Sequence, residues 1–140
     1  MKIVSDTNTI ISGLLWQGAP HDVLTRARTG EITLYTSPTL LAELRDVLKR
    51  PKFALRLKKV GATPRQLSLE FAALAKLTHP VPIEPVILAD PDDDAVLACA
   101  LSAGAQIITS GDSHLLELKS YRGILILTAR EFLDQLANQL

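Results

Sequence analysis

Apolar residues in this chain fall into short unbroken runs separated by stretches of helical spacing. Lys2–Ser5 (KIVS), Thr33–Thr36 (TLYT), 106–109 (QIIT) and Ile124–Leu127 (ILIL) read as strands. Their runs do not alternate polar with apolar, the mark of a sheet covered on both faces and hence of parallel strands. Between them lie helical patterns. Ile10, Ile11, Leu14 and Leu15 follow the first strand, and Val23, Leu24 and Ala27 mark a second helix over 20–28. Ser37-Pro38 opens a third with Leu40, Leu41, Leu44, Val47 and Leu48; two more are expected at 53–60 and 64–77. Thr128 and Glu131 form a capping box at the start of a terminal helix. Strand, helix and strand in succession require parallel crossovers. The expectation is four or five parallel strands with Lys2–Ser5 central. His79 to Pro85 carries three prolines, so any strand between His79 and Leu88 is short and lies at an edge.

The stretch from Asp90 to Asp112 breaks the pattern most sharply. Asp90-Pro91-Asp92-Asp93-Asp94 precedes AVLACAL, Gly104 closes the helix, QIIT follows, and Asp112 stands at that strand's end. Asp90 suits an N-cap and Pro91 the first helical position, where a missing N–H costs nothing. Capping and the helix dipole alone account for acids in a first turn. They do not account for Asp112, at the carboxyl end of a neighbouring strand, where open parallel sheets place their sites.

Composition narrows the class. The 140 residues suit one domain over 1–140, and a 47% hydrophobic share suits a folded core. No apolar run approaches the ~18 residues of a membrane span, and no leader precedes the first strand. Cys99 is the single cysteine, which excludes a disulfide framework or thiolate metal site and points to the cytosol. Net charge is zero but segregated. Arg45 to Arg65 holds eight basic residues against Asp46, while Glu84 to Asp94 holds five acids and no base. A polyanion held beside a cation-binding cleft fits that division, and the basic stretch is expected to flank the cleft.

Asp6, Glu43, an acid of the 92–94 group and Asp112 each fall at a strand end or near a helix start. Glu43 has no basic residue four positions on, since Val47 stands there. Two carboxylates ~5 Å apart repel by ~3 kcal/mol at an effective dielectric of 20. Four gathered together must be protonated or hold a cation. An all-oxygen set selects Mg²⁺ or Mn²⁺ over zinc, and such a site can direct water onto a phosphodiester.

These motifs, Ser5-Asp6-Thr7-Asn8 before IISGLLW, Ser37-Pro38-TLLAEL with Glu43, the Asp90–Asp94 run before AVLACALSAGA, and ITSGD ending at Asp112, resemble the PIN domain. More narrowly they resemble the PIN toxins of prokaryotic toxin–antitoxin systems. The resemblance spans essentially the whole chain. It implies a three-layer α/β/α sandwich around a parallel sheet and a Mg²⁺- or Mn²⁺-dependent ribonuclease. It also implies a homodimer and an antitoxin protein partner. The acids carry over as Asp6, Glu43, Asp94 and Asp112, with Asp93 a near rival to Asp94. Asn8 and Thr109 match polar positions that often line such sites.

Many relatives place an acid two residues beyond the one at Asp112, where this chain has His114. An exposed helical residue, a phosphate contact or a shift in metal affinity each fits that position. His21 and His79 read as structural. Other classes compete less well. A PIN-fold binding module with a degenerate site is countered by the complete acidic set. A receiver-like domain needs paired acids after the first strand and a Lys after the last, but Ser5-Asp6 and Leu127-Thr128 stand there. A haloacid-dehalogenase-like phosphatase needs a second Asp where Asn8 stands.

Overall fold

The computed structural model describes residues 1–87 and 89–138. Strand β1 (Lys2–Ser5) lies inside a six-stranded sheet. On one side of it come β2 (Thr33–Thr36) and then β3 (Lys76–Leu77). On the other come β4 (Ile107–Thr109), β6 (Ile124–Leu127) and the edge strand β5 (Ser120–Tyr121). Every pairing is parallel except that of β5 with β6. The expectation of a central first strand with the other three clear strands parallel to it therefore holds.

The helices are α1 (Thr7–Leu15), α2 (Ala19–Arg28), α3 (Pro38–Leu48), α4 (Ala54–Val60), α5 (Pro64–Leu74), α6 (Pro91–Ala103), α7 (Ser113–Leu118) and α8 (Ala129–Asn138). Successive strand residues feed opposite cores. Ile3 and Ile107 pack with Ile10, Leu24, Leu44 and Phe132 on one face. Val4 and Ile108 pack with Val96, Leu97, Ala100 and Leu115 on the other. Burial on both faces is why these strands read as continuous apolar runs, and it makes the fold an α/β/α sandwich. Among the described residues no helix is long and apolar enough to cross a membrane.

Two elements depart from expectation. The helix expected over 64–77 stops at Leu74, and Ala75 turns extended so that Lys76 and Leu77 pair with Tyr35 and Thr36. Over 79–87, where three prolines remove ladder donors, no strand forms; Leu88 lies outside the described residues. The β5–β6 hairpin was not foreseen. Its turn residues Arg122 and Gly123 both have positive φ, 47° and 83°, as a two-residue turn of the primed type requires.

The 81–87 segment acts as a strap over α6. Ile83 and Ile87 pack into the α6 core, and the Val81 N–H donates to Ser102 Oγ at 3.0 Å. With the sheet on the other side, Val96 through Ala100 are all buried. The all-round apolar character of AVLACAL is thus satisfied within one chain and needs no second copy. Gly13 sets another close approach. A Cβ there would meet Pro20 O at 2.7 Å and Leu24 Cδ1 at 2.8 Å, so α2 can cross α1 only over a glycine.

Candidate metal centre

Three loops at the carboxyl ends of β1, β4 and β2, with the first turn of α6, bring the acids together. Where β1 ends, Asp6 turns out of the sheet and caps α1, its Oδ1 accepting from Thr9 N at 2.9 Å. Its Oδ2 accepts from the Ser110 hydroxyl, and Asp6 is 5% exposed. Ser110 Oγ also accepts from Asp112 N at 2.9 Å. One hydroxyl past β4 therefore fixes two acids from different loops. Ser110 was not singled out from the sequence, although a short polar residue in the Thr109-Ser110-Gly111-Asp112 turn is the type that bridges in this way. Asp112 caps α7, its Oδ1 accepting from His114 N at 2.8 Å and Leu115 N at 3.2 Å.

Glu43 enters from α3 and lines the cleft beside Thr7. Burial raises its pKa above the usual glutamate value, Thr7 opposes this, and Asp92, Asp90 and Asp6 add to the rise. Asp93 is the most perturbed acid. It is 7% exposed, and its carboxyl is pushed up to about 7. Burial is the first cause, followed by the charges of Asp112 and Asp90, a hydrogen bond with Asp112 and the charge of Asp6. Among the described residues no donor answers Asp93 Oδ2, which is buried.

Asp6, Glu43, Asp90, Asp92, Asp93 and Asp112 line one small cleft of about 50 Å³, together with Thr7, Asn8 and Val96. Asp93, Asp112 and His114 each offer a ligand atom within 4.8 Å of the others. His114 Nδ1 stands 3.7 Å from Asp112 Oδ1. A buried, unanswered carboxylate oxygen beside a second carboxylate is the environment a hard divalent cation completes. The residues present fit Mg²⁺ or Mn²⁺, with the imidazole at the edge of the set.

The site expected from sequence is corrected at one position. Asp94 is not in the cleft. Its carboxylate accepts from Val86 N at 3.2 Å and Ile87 N at 2.9 Å, tying the strap to α6. The reason is helical phase. Asp93 shares a face with Leu97 and Ala100, both fully buried, four and seven positions on, whereas Asp94 lies about 100° round the helix. The spacing 93, 97, 100 carries that information in the sequence. Position immediately before the apolar run does not. Of the other candidates, Asn8 lines the cleft and His114 adjoins it. Thr109 is fully buried and bonds the Ser5 hydroxyl, beneath the site and outside the cleft lining.

None of the basic stretch lines the cleft itself. Arg45, Lys49 and Arg65 line a separate groove between α3 and α5. Arg56 donates from Nε to Leu15 O at 2.7 Å and lies over the Trp16 ring. Lys52 stands over Phe53.

No curated protein matches this chain. A solved structure described as the T. brucei RRP44 PIN domain aligns with 98% of this chain and 81% of that one, at a TM-score of 0.49 and 17% identity. A family model described as PIN domain matches residues 2–114. That span takes in every acid of the cleft together with His114, and the chain belongs to the PIN domain family.

Proposed function

We propose that this protein is a metal-dependent endoribonuclease that cleaves RNA phosphodiester bonds with activated water. PIN domains are in general metal-dependent nucleases. The observation that carries the reading for this chain is the buried, unpartnered Oδ2 of Asp93 among six carboxylates. Asp93 and Asp112, with His114 beside them, hold the divalent cation. When bound, Mg²⁺ or Mn²⁺ supplies the positive charge that activates water and offsets charge growing on the phosphate.

The protein groups have separable roles. Ser110 and the Thr9 N–H pre-orient Asp6, so its carboxylate needs no reorganisation. Glu43 has a raised proton affinity and serves as the acceptor for the attacking water's proton. Asp93, whose proton affinity is raised, would release its proton on holding the cation. Asn8 contacts the substrate from the cleft wall, and Thr109 supports Ser5 from below.

The resemblance described above extends the proposal to the toxin of a toxin–antitoxin pair. It acts in the cytoplasm as one domain over 1–140, with an antitoxin partner and as a homodimer. The dimer rests on that resemblance alone, because α6 is already covered. Sedimentation showing only monomer at micromolar concentration removes it. The test of the activity is incubation of single-stranded RNA with the purified protein. Cleavage with Mn²⁺ and none with EDTA is expected; intact RNA under both conditions sinks the reading.

A further inference from the structure

Across Asp112 from the acidic cleft lies a second cavity of about 590 Å³. The two have Asn8 and Asp112 in both linings, so they adjoin there. Their charge differs sharply. The cleft carries six carboxylates, whereas the cavity has Asp112 at its border, Ser12, Ser113 and Thr128 among its polar walls, and Arg130 as its cation. A polyanion leaving the cleft past Asp90 and Asp92 meets like charge. Leaving past Asn8 and Asp112, it meets hydroxyls and a guanidinium.

Arg130 has carboxylates nearby but forms no ion pair with them: it shares another groove with Asp22 and Asp134, the latter four residues on along α8. It stands at the second position of α8, in the first turn, where the helix dipole disfavours a cation. Among the described residues no carboxylate lies within 4.0 Å of it, since the ion pairs there are Arg26–Glu31 and His114–Asp112. The neighbouring Glu131 is engaged at the cap, accepting from Thr128 N at 2.9 Å. An exposed Arg with no ion pair among the described residues, at an unfavourable helix position and lining a cavity that adjoins the cleft, is placed for an external anion.

We infer that this cavity is the seat of the RNA strand flanking the cleaved bond, with Arg130 gripping a backbone phosphate and the hydroxyls of Ser12, Ser113 and Thr128 contacting the sugar–phosphate chain. The inference rests on the ribonuclease reading and assigns that site's substrate path. It places the strand here and away from the α3–α5 groove of Arg45, Lys49 and Arg65, which shares no residue with the cleft.

The test compares wild type, Arg130→Ala, Arg130→Glu and Arg45→Ala/Lys49→Ala/Arg65→Ala. Cleavage of a short single-stranded RNA is measured with Mn²⁺, and binding of a labelled copy is measured by anisotropy in EDTA at several salt concentrations. Arg130→Glu should raise KM and Kd about ten-fold with kcat little changed, and Arg130→Ala should raise them less. The salt slope of binding should fall by about 0.7, one single-strand phosphate contact. Melting temperatures of both Arg130 variants should equal or exceed that of wild type, which a structural role for Arg130 does not allow. Unchanged Kd and salt slope for Arg130→Glu, or losses confined to the α3–α5 triple variant, overturn the inference while wild-type cleavage leaves the ribonuclease reading standing. Wild-type binding that depends on Arg130 without cleavage sinks the enzyme reading and keeps the strand path.

Discussion

Asp93→Asn is expected to lower Mn²⁺-dependent RNA cleavage by at least about a hundred-fold, while Asp94→Asn stays within about three-fold of wild type. Loss of a residue that merely supports a metal ligand costs roughly 10- to 100-fold, and a direct ligand should reach at least the top of that range. Asp94 has a different task, accepting from Val86 N and Ile87 N at the strap over α6. Its replacement should show in stability, by about 1–2 kcal/mol for weakened charge-assisted hydrogen bonds. Cleavage rates and melting curves of the two neutral variants therefore separate along opposite axes. An Asp94→Asn protein that is stable but inactive would move the site one residue along α6.

A second large effect is expected from pH in the metal-free protein. The Asp93 carboxyl rises from 3.8 to about 7 on folding. Below the unfolded value both states are protonated, and folding is not penalised. As pH rises towards 7 the unfolded chain loses this proton while the folded chain keeps it, so stability falls with pH and has fallen fully above the folded value. Linkage puts the ceiling near ~4 kcal/mol, and solvent reaching Asp90 and Asp112 lowers it to on the order of 2 kcal/mol. Glu43 acts in the same direction. Asp93→Asn removes the Asp93 part, and its amide can donate to Asp112. In EDTA the variant should therefore match or exceed wild type near pH 7 and lose that advantage near pH 4. Parallel pH profiles for the two proteins would show that Asp93 is not held protonated.

The sheet was legible because its strands are buried on both faces. Ile3 and Val4, or Ile107 and Ile108, send side chains to opposite cores, and both must be apolar. The helix caps at Ser37, Asp90 and Thr128 were legible from residue type. What escaped depends on facts outside local pattern. Leu74 to Leu77 continues a helical stripe, yet β2 offers an open edge that takes Lys76 and Leu77 as a strand. Asp6 is at once the α1 cap and a cleft residue, one oxygen on Thr9 N and the other on the Ser110 hydroxyl, a double use that residue type alone does not reveal. Basic residues between 45 and 65 showed their charge but not their direction, because α3 turns Glu43 to the cleft and Arg45 to its other side.

The central claim is that the cleft around Asp93 and Asp112 holds a divalent cation, and it is tested most directly by melting wild type and Asp93→Asn at neutral pH in EDTA and in excess Mn²⁺. At a hundred times its dissociation constant the cation should stabilise wild type by about 2.7 kcal/mol. The variant should gain little at the same concentration, because its buried oxygen no longer carries charge. Equal gains in the two proteins, or no gain in either, would contradict the claim.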